Sequence, residues 1–319
     1  MKIPRIILTG TSSRAGKTVV SIGLMRALVN RGYVVQPYKA GPDFIDPSFH
    51  LFATQRYSRN IDGFMMRSED MLESFQRNSK DADIAVIEGT MGLYDSHNAL
   101  DEKGSTAEAS KILKAPVILI ANVERIARTA APFVMGYKLF DPAVDIRGVI
   151  LNRVGSERHA DKVKLAVEKL ADMRVIGVMP RDPGISIPER HLGLVPAFER
   201  SDIEALFDRL AEIMEEYIDI DGIIDIAETA PKMRRQRENN LFNPPKKFDV
   251  RVGIMRDNAF TFYYQDVIDA LAANSRKIMF IDALKDEKLP DVDALYIGGG
   301  FPEVFAEELE SNESLKGDV

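Results

Sequence analysis

Residues 6–18 read IILTGTSSRAGKT, an apolar run followed by a loop of small residues and the start of a helical pattern. Five residues separate Gly10 from Gly16, one more than in the usual phosphate-binding loop. Between a strand and a helix, small residues let backbone N–H groups surround phosphate oxygens at the positive end of the helix dipole. The stretch therefore predicts a nucleotide site in an α/β fold.

The loop residues have separate expected roles. Lys17 is expected to neutralise β- and γ-phosphate oxygens, and Thr18 to hold Mg²⁺. Arg14 stays open, because its guanidinium can point to solvent or fold onto phosphate. The predicted nucleotide-binding residues are Gly10, Thr11, Ser12, Ser13, Arg14, Ala15, Gly16, Lys17 and Thr18.

Outward from this loop, short apolar runs alternate with helical patterns. Ile84–Ile87 and Val117–Ile120 are two such runs, and residues 17–30 show apolar residues at helical spacing. This alternation is typical of a mostly parallel, doubly wound α/β sheet, whose ligands collect at the carboxyl ends of the strands.

The chain divides into two α/β patterns separated by a polar, proline-broken stretch. We predict a P-loop domain over residues 1–226, a linker over 227–248, and the N-terminal part of a second domain over 249–319. The second pattern stops at Val319, too early to close a domain.

Composition excludes several classes of function. The net charge of -7 does not supply the clustered Lys and Arg that a nucleic-acid binder needs. No apolar run approaches the roughly 20 residues that cross a bilayer, and the first residues lack a signal-peptide pattern, so we expect a cytoplasmic protein. With no cysteine, there is no thiolate ligand or nucleophile. His50, His97, His159 and His191 show no metal-ligand spacing.

Acidic residues follow two further predicted strands. Asp43 can reach Mg²⁺ from a proline-stiffened turn, while Asp46 can orient a substrate or an attacking amine; the alternative is that both are ordinary turn residues. Glu88 ends a buried apolar run, where a carboxylate is costly without a cation, so we predict Mg²⁺ ligation by Thr18, Asp43 and Glu88. Asp95 is either a helix cap or a catalytic group.

Taken together, these residues resemble the cobyrinic acid a,c-diamide synthase family over nearly the whole chain. The order of the matching strings is more specific than any one of them. They are Gly10–Thr18, Lys39–Pro47, Ser58–Asn60 with Asp62, Val86–Asp95, Gly104–Glu108, Ile150–Val154 and Met179–Asp182.

The resemblance implies a carbon–nitrogen ligase that uses ATP and Mg²⁺ to amidate two acetate carboxylates of a tetrapyrrole. It implies an acyl-phosphate intermediate and nitrogen from glutamine. Strings at residues 10–14 and 122–125 look more like archaeal members, some of which act on nickel sirohydrochlorin, so cobyrinate and Ni-sirohydrochlorin both stay open. The implied catalytic residues are Lys17, Asp43, Asp46, Glu88 and Asp95.

Polar residues at other strand ends are further candidates. Asn152 is expected to hydrogen-bond the adenine, with a strand-terminating turn as the alternative. The substrate carries many carboxylates, so its pocket is expected to be cationic. Arginines at loop positions are candidates for that pocket, or else solvated surface residues; they are Arg59, Arg125, Arg153 and Arg181.

The implied fold is a dethiobiotin-synthetase-like P-loop domain followed by the start of a class I glutamine amidotransferase domain. The string at residues 296–303 looks like part of the family's glutaminase, with Gly299 and Gly300 in its oxyanion hole. The family's Cys and His lie further downstream, so a truncated chain is expected here, with free ammonia as the alternative nitrogen source.

Three other functions compete with this interpretation. A dethiobiotin-synthetase-like ligase shares the loop and acids but lacks a glutaminase, and residues 250–303 argue against it. A non-enzymatic nucleotide switch usually carries an extra lysine early in the loop, where this chain has Ser12. A cobyric acid synthase relative has a less similar loop. The sequence does not determine the oligomeric state, although a homodimer is compatible with it.

Overall fold

The structure is a computed structural model that describes residues 1–181, 189–190, 193–194, 203–237 and 239–319. It divides into two compact units, Met1–Gln236 and Arg237–Val319. Asp182 and His191, both named in the sequence analysis, lie outside the described residues.

The first unit is built on a seven-stranded sheet in the order β3-β2-β4-β1-β5-β6-β7. Every pair of neighbouring strands is parallel. The strands are β1 (Arg5–Gly10), β2 (Val35–Ala40), β3 (Arg59–Ile61), β4 (Ile84–Gly92), β5 (Val117–Asn122), β6 (Ile146–Val154) and β7 (Val175–Pro180). Two short strands, β8 (Glu189–Arg190) and β9 (Gly193–Leu194), form a separate antiparallel pair.

Helices cover both faces of this sheet. They are α1 (Lys17–Asn30), α2 (Asp46–Thr54), α3 (Ser68–Asn78), α4 (Thr106–Leu113), α5 (Ala130–Phe140), α6 (Glu157–Leu170), α7 (Ile203–Tyr217) and α8 (Ile220–Glu228). Alternate side chains of a strand point to opposite faces. Ile6 and Leu8 therefore pack with α1, α2, α7 and α8, whereas Ile7 packs with α3 to α6. The predicted doubly wound parallel fold is confirmed.

Strand order places the phosphate-loop segment at the centre of the sheet. Strand β1 lies between β4 and β5, so the chain's successive strands build outward on opposite sides of it. In such sheets a crevice opens where the order reverses, at the carboxyl ends of the strands. The loop after β1 and the ends of β2 and β4 meet at this edge.

The second unit has a three-stranded parallel sheet in the order β11-β10-β12. Its elements are β10 (Phe248–Met255), α9 (Gln265–Asn274), β11 (Ser275–Ile281), β12 (Ala294–Ile297), a 3-10 turn (Pro302–Phe305), α10 (Ala306–Ser311) and α11 (Glu313–Asp318). Small clusters around Ile254 and Ile281 form its core. Among the helices described in either unit, none has the length and apolar character to cross a membrane.

The end of the first unit lies later than the sequence pattern placed it. Helix α8 continues to Glu228, and the segment that follows contacts the first unit. The amino group of Met1 donates to the Met233 carbonyl at 3.0 Å, and Gln76 Nε2 donates to the Arg234 carbonyl at 2.8 Å. Residues 231–236, predicted as linker, therefore pack with the P-loop unit.

Arg5 ties three parts of the first unit together. Its side chain is fully buried, and its guanidinium donates to four backbone carbonyls. The acceptors are Leu113 at 2.7 Å, Ile3 at 2.9 Å, Lys114 at 3.1 Å and Pro231 at 2.9 Å. Burial lowers the pKa of Arg5 to about 10. These bonds join the start of β1 to the end of α4 and to the segment after α8.

We predict that Arg5→Leu lowers the free energy of unfolding of the first unit by about 3 kcal/mol, because two buried and two partly buried carbonyls lose their donor. Urea unfolding followed by circular dichroism measures this change. Arg147→Leu is the control, since Arg147 is half-exposed and pairs with Asp145 at 2.7 Å. That control should change stability by less than about 1 kcal/mol. Equal losses of unfolding free energy in the two variants would contradict the structural role of Arg5.

Candidate functional site

The loop between β1 and α1 leaves no room for side chains at its glycines. Gly16 has a φ of +97°, and a Cβ on Gly10 would lie 2.7 Å from the Ser12 carbonyl oxygen. Arg14 also lies in the left-handed region, with a φ of +62°, which is costly for a residue other than glycine. No side chain in the described ranges caps α1, so its first N–H groups point toward the loop. This is the cradle that an anion needs.

Asn152, at the end of β6, braces this loop. Its Nδ2 donates to the Ala15 carbonyl at 2.8 Å, and its Oδ1 accepts from the Arg153 N–H at 2.8 Å. A Cβ on Gly16 would lie 2.2 Å from the same Nδ2. The brace was not foreseen from the sequence, because it joins residues 137 positions apart. The expected contact of Asn152 with adenine stays a prediction.

Lys17 is the first residue of α1, and its side chain turns back to the phosphate loop. Its Nζ donates to the Ser12 carbonyl at 3.2 Å, and the residue is only 8% exposed. Burial lowers the pKa of Lys17 and nearby Lys39 lowers it further, while Glu88, Asp46 and Asp95 act in the opposite direction. Lys17 is therefore within electrostatic reach of three of the predicted acidic residues.

Three acids and Thr18 meet around one buried lysine, Lys39. Thr18 Oγ1 donates to Glu88 Oε1 at 2.8 Å and lies 3.5 Å from Asp46 Oδ2. Lys39 Nζ lies 2.5 Å from Asp46 Oδ2, 3.1 Å from Glu88 Oε1 and 3.6 Å from Asp43 Oδ2. We call this set of five residues the acid cluster.

Strand register builds the acid cluster. Lys39 on β2 is paired directly with Glu88 on β4, so the two side chains leave neighbouring strands at the same level. Lys39 also donates to the Gly89 carbonyl at 3.1 Å. The pattern of residues did not predict a role for Lys39; the available signal was a lysine next to the end of a buried strand, four residues before Asp43.

Opposite charges in the acid cluster keep Lys39 and Glu88 ionised despite their burial. Burial alone lowers the pKa of Lys39, but Asp46, Glu88 and Asp43 outweigh it and raise the pKa overall. Burial raises the pKa of Glu88, but the Lys39 ammonium and hydrogen bonds from His50 and Thr18 hold it well below its usual range. Burial and the Asp46 carboxylate raise the pKa of Asp43. Lys39 and Glu88 thus form a charged pair at neutral pH.

His50 on α2 completes the surroundings of Glu88. Its Nε2 lies 2.7 Å from Glu88 Oε2, and its Nδ1 lies 3.0 Å from Ser58 Oγ. An ionised carboxylate only accepts hydrogen bonds, so Nε2 is the donor. Spacing analysis did not find this contact, because α2 and β4 are distant in sequence.

Asp95 closes the turn after β4. Its Oδ2 accepts from the Gly92 N–H at 2.7 Å, and its own N–H donates to the Gly92 carbonyl at 3.1 Å. The helix-cap alternative for Asp95 is wrong, because the next helix begins at Thr106 and is capped by Ser105. The catalytic role of Asp95 stays a prediction.

The four candidate arginines do not form one pocket. Glu124 brings two of them together, contacting Arg181 Nη1 at 3.0 Å and Arg153 Nη1 at 3.9 Å. Arg125 and Arg153 both have left-handed backbones, with φ of +62° and +63°. Arg59 begins β3, at the opposite edge of the sheet from β7, which is six strand spacings or roughly 28 Å away. A substrate-binding role for any one of the four arginines stays a prediction, with a surface role as the alternative.

In the second unit, the glycine turn after β12 is tightly held. Gly298 N–H donates to Tyr263 Oη at 2.8 Å, and Phe262 N–H donates to the Gly299 carbonyl at 2.9 Å. A Cβ on Gly300 would lie 1.9 Å from the Ala259 carbonyl oxygen, so only glycine fits there. The oxyanion role of Gly299 and Gly300 stays a prediction.

A parallel sheet with a small-residue loop before α1 and acids at the neighbouring strand ends defines a P-loop nucleotide-binding protein. Family models agree with this class. The CobQ/CobB/MinD/ParA nucleotide binding domain matches residues 6–195, and the CobB/CobQ-like glutamine amidotransferase domain matches residues 251–319.

Individual relatives define the family more closely. The chain is 60% identical over 319 residues to the cobyrinate a,c-diamide synthase of Archaeoglobus fulgidus, covering all of this chain and 69% of that protein. It is 46% identical over 311 residues to that of Methanobrevibacter smithii, covering 98% and 68%. For Priestia megaterium the identity is 43% over 316 residues, covering 99% and 68%. The chain belongs to the cobyrinate a,c-diamide synthase family, which consists of carbon–nitrogen ligases.

We predict that Lys39→Met lowers the free energy of unfolding at neutral pH by about 3 to 5 kcal/mol, because it leaves buried carboxylates without their counter-charge. Urea unfolding measures the loss. The double variant Lys39→Met with Glu88→Gln should recover part of it, since it also removes one of the carboxylates.

Lys138→Met is the matched control for this change. Lys138 is a surface lysine that pairs with the exposed Asp172 at 3.2 Å, so its loss should cost less than about 1 kcal/mol. A double variant less stable than Lys39→Met alone would show that Glu88 and Lys39 do not compensate each other.

Proposed function

We propose that this chain carries the ATP-dependent part of an enzyme that converts two acetate carboxylates of a tetrapyrrole into amides. The observation that carries the proposal is the acid cluster beside the phosphate loop, where Thr18 and Glu88 contact each other within electrostatic reach of Lys17. The names of the relatives support cobyrinate as the substrate. The strings at residues 10–14 and 122–125 keep Ni-sirohydrochlorin as a second candidate.

The loop fits a nucleotide. Its glycines have no room for a Cβ, so the backbone can approach a phosphate closely, and the start of α1, which lacks a side-chain cap, adds the helix dipole. Buried Lys17 adds a positive charge at the same place. In this proposal residues 10–18 hold the phosphates, and Asn152 maintains the loop conformation from β6 while its remaining amide hydrogen is directed to the adenine.

The acid cluster fits Mg²⁺. Hydroxyl and carboxylate oxygens are the donors that this ion takes in proteins. Thr18 Oγ1 lies 2.8 Å from Glu88 Oε1, and Glu88 and Asp43 contact the same Lys39 ammonium at 3.1 and 3.6 Å, with Asp46 beside them. In the described ranges no three acids or histidines are arranged to hold a metal by themselves, so phosphate oxygens would complete the coordination. Bound there, Mg²⁺ would neutralise phosphate oxygens during transfer. The Lys39 ammonium also carries a positive charge beside these acids. Its contacts with Asp43, Asp46 and Glu88 hold the three carboxylates close together.

Amide formation requires that the substrate carboxylate be made into an acyl donor, because a carboxylate does not react with ammonia at neutral pH. When bound, ATP supplies the phosphoryl group for this activation, giving an acyl-phosphate. Lys17 and the first N–H groups of α1 orient and neutralise the phosphates. Ammonia then forms the C–N bond as the C–O bond to phosphate breaks. Asp46 and Asp95 are the proposed acceptors of the proton that ammonia loses.

Glutamine is the proposed nitrogen source of the full-length family enzymes, and free ammonia is the proposed source for residues 1–319, which contain no cysteine nucleophile. The amidotransferase match over residues 251–319 supports glutamine. In the proposed glutaminase, the N–H groups at Gly299 and Gly300 would stabilise negative charge on the glutamine carbonyl oxygen. The tight contacts of this turn with Phe262 and Ala259 hold its backbone in place for that purpose.

The test of this function supplies each substrate separately. The protein is incubated with ATP, Mg²⁺ and either glutamine or ammonia, against cobyrinate and against Ni-sirohydrochlorin. Mass spectrometry should show two successive replacements of a carboxyl hydroxyl by an amino group. Nucleotide binding with no mass change in either tetrapyrrole would refute the ligase assignment.

We predict that Glu88→Gln lowers kcat roughly 100-fold or more, because it removes a charged group that the metal and phosphate site requires. Steady-state phosphate release in the presence of the tetrapyrrole measures it. Glu73→Gln is the control, since Glu73 is also a buried glutamate in an ion pair, with Arg77 at 3.0 Å, but lies on α3. Retained turnover in Glu88→Gln would overturn the metal assignment.

A further inference from the structure

The buried ring of His50 connects two polar groups that belong to different elements. His50 is the middle residue of α2 and is fully buried. Its Nε2 contacts Glu88 Oε2 at 2.7 Å on β4, and its Nδ1 contacts Ser58 Oγ at 3.0 Å just before β3. Ser58 is itself 6% exposed. The ring is thus held at both nitrogens, away from solvent.

The two oxygens of Glu88 have separate partners because of this contact. Oε2 accepts from His50, whereas Oε1 accepts from Thr18 at 2.8 Å and from Lys39 at 3.1 Å. The terminal torsion of a glutamate is broad, so a carboxylate without a fixed partner can rotate. The bond to His50 sets the carboxylate plane and directs Oε1 to the acid cluster.

Ser58 in turn constrains the ring. A neutral histidine carries its proton on one nitrogen, and the other nitrogen then accepts. With Nε2 donating to Glu88, Nδ1 of a neutral ring accepts from the Ser58 hydroxyl. Outer partners that fix a metal ligand in this way commonly change metal affinity or activity 10–100-fold when they are removed.

We propose that His50 is a positioning residue that orients the Glu88 carboxylate so that Oε1 faces the metal and nucleotide at Thr18, with Ser58 fixing the ring. The inference depends on the proposed function only in requiring that a divalent metal and nucleotide bind at the acid cluster. It does not depend on which tetrapyrrole is amidated. His50 touches neither nucleotide nor substrate in this role.

The first test uses the native protein and reads the ring directly. Long-range proton–nitrogen spectra of protein with nitrogen-labelled histidine report which ring nitrogen carries a proton, and His50→Gln assigns the signals of His50. The expected result is a protonated Nε2. A ring protonated on Nδ1 alone would overturn the proposal, because its Nε2 could not donate to Glu88.

The second test measures metal binding without any tetrapyrrole. Electron paramagnetic resonance of free Mn²⁺, in the presence of a non-hydrolysable ATP analogue, gives the dissociation constant of the metal in the nucleotide complex. His50→Leu should raise this constant about 10- to 100-fold. His50→Gln should retain most of the native affinity, because its amide N–H replaces the Nε2 donor.

Controls separate positioning from folding and from the substrate assignment. His159→Leu removes another histidine, whose Nε2 contacts the Ile126 carbonyl outside the acid cluster, and should leave Mn²⁺ affinity unchanged.

A folded His50→Leu that binds Mn²⁺ as the native protein does would refute the proposal. If His50→Leu does not fold, the ring spectrum of the native protein decides. If neither tetrapyrrole is amidated while the Mn²⁺ difference remains, the substrate assignment fails and the role of His50 stands.

Discussion

The ion pair between the Lys39 ammonium and the Glu88 carboxylate is the interaction on which the site depends. Both groups are buried, so each would be strongly destabilising alone. Together they support each other's charge, and Asp43, Asp46 and Thr18 contact the same pair. Because desolvation penalises every member, the cluster persists only while the charges stay balanced and hydrogen-bonded.

The balance of charges keeps Glu88 ionised, which the proposed metal binding requires. A carboxylate kept ionised within a buried strand is ready to bind a divalent cation. Lys39 offers a way for the protein to hold acids close together before any metal arrives. His50 and Ser58 extend the hydrogen-bond network on the side of Glu88 opposite Thr18. These residues orient the Glu88 carboxylate although they are far from it in sequence.

Three arginines named from the sequence have left-handed backbones. Arg14 at the phosphate loop and Arg125 and Arg153 at the ends of β5 and β6 all adopt left-handed φ angles. Residues other than glycine rarely adopt this conformation, and it concentrates at functional sites. Asn152 joins the two regions, since it lies near the end of β6, accepts from Arg153 and donates to the loop at Ala15. The loop is thus held from a strand two positions away in the sheet.

The fold and the main site residues could be predicted from the sequence. The features that could not be predicted are all contacts between residues far apart in the chain. The fold class, the phosphate loop and an acid in a buried apolar run are properties of contiguous segments, in which a strand, a turn and a helix follow one another. The sequence alone therefore determined them, because short-range sterics and hydrophobic periodicity act along the chain. Glu88 lies in the middle of β4 and not at its end, because the strand continues to Gly92. The partners of Glu88, the brace from Asn152 and the separation of Arg59 from Arg181 were decided only by tertiary structure. Each depends on strand order and register. These are set by the packing of the whole sheet, and they decide which distant residues become neighbours and which are separated.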